Sequence, residues 1–366
     1  VKLRLAGMRR AGGPLSGAAA SARARYQERH GILLSIADDA GHVGHGEASP
    51  LPGYSPDALC DVCDALASKQ WLPSSLEPDA PLLELLAACS ERLPRSLPAA
   101  RFAAETAMVD LLGQRQQRPA WQLLREARGL AAQPGPVALT WLIQAADAAA
   151  ALLEVRRELD RGIASFKMKV AGPSLTAESL DRLHAVREAL GDQPALRLDA
   201  NGSLCPATAS ATLQQLAVLR PEFVEQPTPN PEQLVTSPVP LALDESLQHA
   251  CAAELLPTWV SSAPIQFLVL KPMALGGLHH CLQLAAAARA LGLAVVVSHL
   301  LDGPIALSAC CALALAIDQP PLAAGLGRHP GLSAWPAIRL VGLSATHVVP
   351  WSQPGLGIQL GAPGPA

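Results

Sequence analysis

At 366 residues, with a formal net charge of −3, 16% charged and 3% aromatic side chains, the chain offers no basic field for a nucleic-acid backbone and few platforms for stacked bases. Its mean hydropathy of +0.23 comes from Ala and Leu spread along the chain. The longest apolar stretches, such as 305–317, are too short to span a bilayer, so neither nucleic acid nor a membrane is an expected partner. Eight unevenly spaced cysteines do not form a secreted disulfide framework and fit reduced thiols in the cytoplasm. No leader pattern is visible, and the chain begins at Val1, so nothing is concluded about what precedes it.

Residues 11–24 are almost wholly Ala, Gly, Ser and Arg, with little to bury and much backbone freedom, and read as a mobile loop. A strand-like run at 31–36 and helical patterns at 55–67, 81–91 and 98–112 follow, which predicts an α+β module over residues 1–132. Cys60 and Cys63 form a C-x-x-C within a helical pattern and no second pair follows, which favours buried helix packing over zinc or redox chemistry. Arg23, Arg25 and Arg29 beside the loop read equally as a solvated basic face or as groups that close over an anionic substrate.

From about Val137 short apolar runs alternate with Ala/Leu-rich helical stretches. The first is 137–143, with a helix at 145–161, and the next six each end in a charged or hydroxyl group: Lys167-Met168-Lys169, Asp199, Glu225, Asp244, Lys271 and Ser298. Gln319 to Gly325 reads as an eighth, less regular strand. Strand and helix in alternation with short connections imply parallel strands and right-handed crossovers, hence a (β/α) barrel over 133–328. The remainder, 329–366, carries strand-like runs at 338–343 and 346–349 and is expected to return to the first module.

Function in such a barrel gathers at the carboxyl ends of the strands. Alternation puts Lys167 and Lys169 on one face and Phe166, Met168 and Val170 on the other, so both ammonium groups point into the barrel. Two lysines held together in a low-dielectric site repel, and a divalent cation adds to this, so one pKa falls towards that of a usable base. Lys169, nearer the strand's end, is the candidate. Asp199, Glu225 and Asp244 close consecutive strands, and three carboxylates converging on one mouth repel without a cation; hard oxygen donors suit Mg²⁺, with Mn²⁺ as an alternative. Lys271 lies across the mouth from Lys169 and pairs with it as acid and base or as electrostatic stabiliser. Arg197 shares the face of Asp199 one layer deeper and reads either as a buried partner of these groups or as a direct participant.

These elements, together with Asp199-Ala200-Asn201-Gly202, Glu225-Gln226-Pro227, Asp244-Glu245-Ser246 and Leu270-Lys271-Pro272-Met273, resemble the enolase superfamily, specifically its muconate-lactonizing branch. Gly44-His45-Gly46-Glu47, Pro50-Leu51-Pro52-Gly53-Tyr54-Ser55 and Arg101-Phe102-Ala103-Ala104-Glu105 extend the resemblance to the first module. It implies an α/β fold, a modified (β/α)₇β TIM-type barrel with an α+β capping domain. It also implies a small-molecule carboxylate substrate on Mg²⁺, with Lys169 removing the adjacent proton and Lys271 facing the resulting dianion.

Within the branch the first-module stretch most resembles the o-succinylbenzoate synthase group, the dehydratases of menaquinone biosynthesis. Racemases of N-acylamino acids, dipeptide epimerases and muconate cycloisomerases use the same lysines and stand as alternatives. Ser298, Asn201, Asp302 and Gly303 are the expected substrate contacts. The segment Ser298-His299-Leu300-Leu301-Asp302-Gly303 departs from the Ser/Glu-rich pattern of many such synthases. Alternation turns His299 away from the barrel interior, towards a helix-side or loop role. A homo-oligomer is compatible with the sequence.

Overall fold

The computed structural model describes residues 1–20, 25–77, 80–130, 132–145, 147–170, 172, 174–234, 236–317, 322–329 and 331–360, without the side chains of 17–20, 25 and 360. Residues 21–24, including Arg23, the side chain of Arg25, and residues 319–321 of the expected eighth strand therefore lie outside the described set.

An antiparallel sheet of Leu3–Ala20, Arg25–Asp38 and Val43–Ala48 forms the amino-terminal module, with the Arg25–Asp38 strand in the middle. The run 11–20, expected as a loop, is strand: Ala11 pairs with Gly31, Gly13 with Arg29 and Ala20 with Arg25, with a register shift between Pro14 and Ala19. None of the described side chains of 11–16 is fully buried, but the partner strand supplies backbone pairing at residues 11–14 and 19–20 and the anchored core residues Ile32, Leu34 and Ile36. The third strand lies on helix Pro98–Gln116, where a Cβ at Gly44 or Gly46 would overlap the carbonyls of Ala107 and Ala103. That close approach explains the Gly-His-Gly of the sequence.

Helices Leu59–Ala67 and Leu82–Glu91 complete the module. Val62 and Leu66 take the buried side of the first of these; Cys60 is exposed and Cys63 only half-buried, so the helical placement of the pair holds but its burial does not. None of the eight cysteines is bridged.

Seven parallel strands form the second sheet, in chain order: Trp141–Leu142, Ser165–Lys169, Ala195–Asp199, Phe223–Glu225, Leu241–Leu243, Ile265–Leu270 and Ala294–Val297. The register aligns Lys169 with Asp199 and Asp199 with Glu225, which brings the polar tips to one rim. The two sheet edges meet through residues 324–325: Ala324 bridges Leu139 and Gly325 bridges Ser298, both parallel. The expected first strand is split, because Val137–Ala138 pairs antiparallel with His347–Val348 of the tail and only Trp141–Leu142 joins the barrel.

Intervening helices carry local start signals. Asp147 Oδ1 accepts the Ala150 amide at the head of Ala148–Asp160, and Thr176 accepts the Ser179 amide at the head of Ala177–Leu190. Phe166, Met168, Leu196 and Leu198 are buried with the apolar faces of these helices in one core. A separate small cluster of Phe223, Ala242, Val269 and Val296 fills the barrel. The tail returns to the helices of the first module: Gly355 bridges Pro119, the Trp121 indole donates to Trp351 O at 2.9 Å, and Asp110 accepts the Leu356 amide at 2.8 Å. No described helix is long and apolar enough to cross a membrane.

Candidate active site at the barrel mouth

The strand-end charges alternate in sign across the mouth. Lys167 Nζ lies 2.9 Å from Asp199 Oδ2 and 2.7 Å from Glu225 Oε2, and Lys271 Nζ lies 3.5 Å from Glu225 Oε1 and 2.5 Å from Asp244 Oδ2. All three carboxylates are buried. Burial pushes the Glu225 carboxyl up to about 7, with the neighbouring Asp199 charge adding to it, and burial likewise raises Asp244 to about 6. Burial also opposes the charge on Asp199, but Lys167 and Lys271 outweigh it and hold that carboxyl below its usual range.

The lysines divide in the same way. Burial lowers the pKa of Lys169, opposed by Asp199 and reinforced by Lys167 and Lys271. For Lys167 burial is overcome by Asp199 and Glu225, and for Lys271 by Asp244, so both are held protonated. Lys169 is thus the member of the set whose environment favours a base.

Three buried carboxylates with hard oxygen donors, two of them pushed up by their surroundings, and a Glu225 Oε1 lacking a hydrogen-bond donor, fit a divalent cation such as Mg²⁺. Among the described residues no three acidic, His or Cys side chains are grouped as a metal site; the ammonium groups of Lys167 and Lys271 lie between the carboxylates.

Two residues outside the expected set complete this layer. The Tyr54 hydroxyl, brought from the first module by the Pro-Leu-Pro-Gly-Tyr stretch, donates to Asp244 Oδ1 at 2.6 Å, and its ring lies 4.7 Å from Lys271 Nζ. Gln226 adopts φ +38°; its amide donates to Ser246 Oγ and its Oε1 accepts the amides of Asp244 and Ser246, so it fixes the turn carrying Asp244. Both stand in sequence runs already singled out, but their roles depend on contacts between strands.

Above the charges opens a cavity of about 380 Å³. Lys167, Lys169, Asp199, Asn201, Lys271 and Ser298 line its charged end; Tyr26, Leu51, Tyr54, Trp141, Leu142, Leu300 and Leu301 line its apolar wall. A larger cleft of about 590 Å³ by helix Ala120–Glu126 touches none of the strand-end series.

The expected contacts fare unequally. Ser298 and Asn201 line the cavity, with Ser298 Oγ donating to Gly325 O at 3.3 Å. Asp302 and Gly303 do not. Leu301 turns the chain with φ +54°, which sends Asp302 under the loop towards Arg29 and sets the Gly303 amide 2.7 Å from Glu47 Oε1. His299 is a loop residue as expected but faces the cavity, contrary to the alternation argument, because the seventh strand ends at Val297. Its Nε2 donates to Gly327 O at 2.9 Å and its Nδ1 accepts the Asp302 amide at 3.1 Å, so both nitrogens are engaged.

Neither reading of the arginines survives for Arg29, which is buried beneath the loop. Arg197 pairs with Glu222 at 2.5 Å and with Thr140 Oγ1 at 2.8 Å, over the Phe223 ring and away from the three carboxylates.

Residues 12–125 match the mandelate racemase / muconate lactonizing enzyme N-terminal domain, and residues 149–362 the enolase C-terminal domain-like family. An o-succinylbenzoate synthase of Thermosynechococcus vestitus is 33% identical over 72% of this chain and 74% of its own. A hydrophobic dipeptide epimerase of Enterococcus faecalis is 29% identical over 69% of each chain. The crystal structure of a dipeptide epimerase from Enterococcus faecalis V583, complexed with Mg and the dipeptide L-Leu-L-Tyr, superposes with a TM-score of 0.84 at 24% identity, covering 98% of this chain and 99% of that one. Similarity therefore extends to lyases and to epimerases alike, and the chain belongs to the enolase superfamily, with a capping domain of the mandelate racemase / muconate lactonizing type.

Proposed function

We propose that the protein is a Mg²⁺-dependent o-succinylbenzoate synthase, dehydrating a succinyl-bearing hydroxycyclohexadiene carboxylate. The observation that carries this reading is the chemistry of the cavity wall beyond the lysines. It is apolar, as a carbocyclic ring requires, and its lining includes Arg157, paired with Glu158 at 2.7 Å, and Arg328, which donates to Ile338 O at 3.1 Å; each guanidinium has further N–H donors to offer a second carboxylate. A dipeptide brings an ammonium group instead. The one outer carboxylate among the described lining residues, Glu154, is already engaged by the Trp141 indole and the amides of Gln144 and Ala145.

Asp199, Glu225 and Asp244 are the groups that hold Mg²⁺ in this reading, and the bound cation supplies charge stabilisation for the substrate carboxylate as the adjacent proton leaves. Lys169 accepts that proton. The C–H electron pair becomes a ring double bond as the neighbouring C–O bond breaks, and the proton now on Lys169 passes to the departing hydroxide, which leaves as water; the ring is aromatic and Lys169 is again a free base. Lys271, kept cationic by Asp244 and facing the Tyr54 ring, opposes the developing anion. Lys167, between Asp199 and Glu225, orders the carboxylates.

Lys169 and Lys271 both line the cavity, which favours one second reading, racemisation of an N-acylamino acid or epimerisation of a dipeptide with one lysine removing the proton and the other returning it from the opposite face. Purified protein with Mg²⁺ is assayed by ultraviolet absorbance for aromatic product from the cyclohexadiene substrate, and by deuterium uptake from solvent into N-succinylamino acids and dipeptides. Aromatic product is expected. Efficient deuterium uptake into an amino acid derivative with no aromatic product would overturn the synthase reading.

A further inference from the structure

The segment that follows the seventh barrel strand forms part of the cavity wall through Leu300 and Leu301; bonds within it, from Leu300 N to Asp302 Oδ1 and from Asp302 N to His299 Nδ1, are joined by others from the capping domain. Arg29, 1% exposed in the middle strand of the capping sheet, sends Nη2 to Leu300 O and Nε to Leu301 O, each at 3.1 Å. The same guanidinium binds Pro50 O at 2.8 Å and Ser49 O, and lies 4.0 Å from Asp302 Oδ1. Five N–H donors in a rigid fork are spread over carbonyls of two domains.

One step further along, Gly303 begins helix Pro304–Ala316 and has no side chain to cap it. Glu47, also from the capping sheet, takes that role: Oε1 accepts the Gly303 amide at 2.7 Å, and Oε2 accepts Ile305 and Ala306 at 3.2 Å each. The backbone between these anchors includes Leu301 at φ +54°, where a branched side chain rarely rests unless its surroundings hold it.

We propose that Arg29 is a positioning residue for substrate selection: with Glu47 it clamps the backbone of residues 300–303 from the capping domain, turning two carbonyls away from the cavity and two leucine side chains into it. Lysine at position 29 keeps the charge but cannot reach both Leu300 O and Leu301 O in one plane. The loop then relaxes out of the left-handed conformation, and the apolar wall loses its shape while Lys169, Lys271 and the carboxylates stay in place. The claim about loop geometry stands on the contacts above, while the claim about substrate rests on the synthase reading.

The test is Arg29→Lys in the full chain, read two ways. Hydrogen–deuterium exchange should rise about tenfold in peptides covering 300–303 and stay unchanged in the strands Ser165–Lys169 and Ala195–Asp199. In the dehydration assay KM should rise about tenfold with kcat within about twofold. A general loss of stability would instead raise exchange in all these segments. Unchanged protection at 300–303, or a fall in kcat at constant KM, overturns the proposal. Should Arg29→Lys fail to fold, Glu47→Gln loosens the other end of the clamp and is held to the same two readouts over 303–306. If the wild type makes no aromatic product, the synthase reading fails, and the exchange measurement still decides whether Arg29 holds the loop.

Discussion

The lysine–carboxylate layer and the wall above it sit a few residues apart in sequence, at the ends of the same strands, and are built by opposite means. In the first, each side chain is delivered by its own strand, and register alone aligns Lys169, Asp199 and Glu225. In the second, Leu300 and Leu301 face the cavity because two buried side chains from the other domain, Arg29 and Glu47, hold their backbone. In the proposed reading the chemistry rests mainly on strand-borne residues, with Tyr54 added from the other domain, and selection of substrate on contacts from that domain; the relatives include both a synthase and an epimerase.

That contrast makes sharp demands. The largest effect belongs to Lys169→Ala, which should lower kcat by about 10³- to 10⁴-fold with the melting temperature nearly unchanged, since a positioned base is lost while Asp199 keeps Lys167 at 2.9 Å. Retention of full turnover would remove Lys169 from the mechanism. Next comes the metal. Chelation should abolish turnover, Mg²⁺ should restore it, and Asp244→Asn should raise the Mg²⁺ concentration for half-maximal rate by at least about tenfold. Turnover indifferent to chelator would separate the three carboxylates from metal binding.

The wall answers in a different currency. Glu47→Ala strands the Gly303, Ile305 and Ala306 amides and the Ser49 hydroxyl, all buried, and should cost about 2–4 kcal/mol in urea unfolding. A loss near zero would show that the helix start is capped by water instead, and that the two domains are coupled less tightly at this point than the contacts indicate.

The same division governs what could be read in advance. The strand-end series was legible because period-two alternation assigns faces, and a run of acidic and basic tips has no packing role. The fold class followed from it. Illegible were features set by a partner distant in sequence: residues 11–20 are strand because Arg25–Asp38 offers a ladder, against their own composition. Asp302 and Gly303 left the site through one positive φ at Leu301, which no propensity predicts for leucine. Arg29 could not be assigned from sequence, since its partners are backbone carbonyls, whose positions carry no residue signature. Tyr54 and Gln226 lay in recognised motifs, but alternation within one strand says nothing of a hydroxyl arriving from another domain.

His299 stands on the boundary between the two regions and gives the smallest and most specific test. Burial lowers its pKa below the ordinary value of 6.5, against the opposing pull of Asp302. With Nδ1 accepting the Asp302 amide and Nε2–H donating to Gly327 O, the neutral ring satisfies both neighbours, and a proton on Nδ1 would break the first of these bonds. Between the folded pKa and 6.5 the unfolded chain binds a proton that the native chain does not, so stability rises with pH in that window. The contribution is complete above 6.5 and is lost as pH falls. Replacing His299 by Gln keeps a donor and an acceptor but removes the titration. The difference in unfolding free energy between pH 7.5 and 5 should therefore shrink relative to wild type. An identical pH dependence in the two proteins would mean that the imidazole is not held neutral by the loop, and would weaken the case that residues 299–302 are a fixed wall.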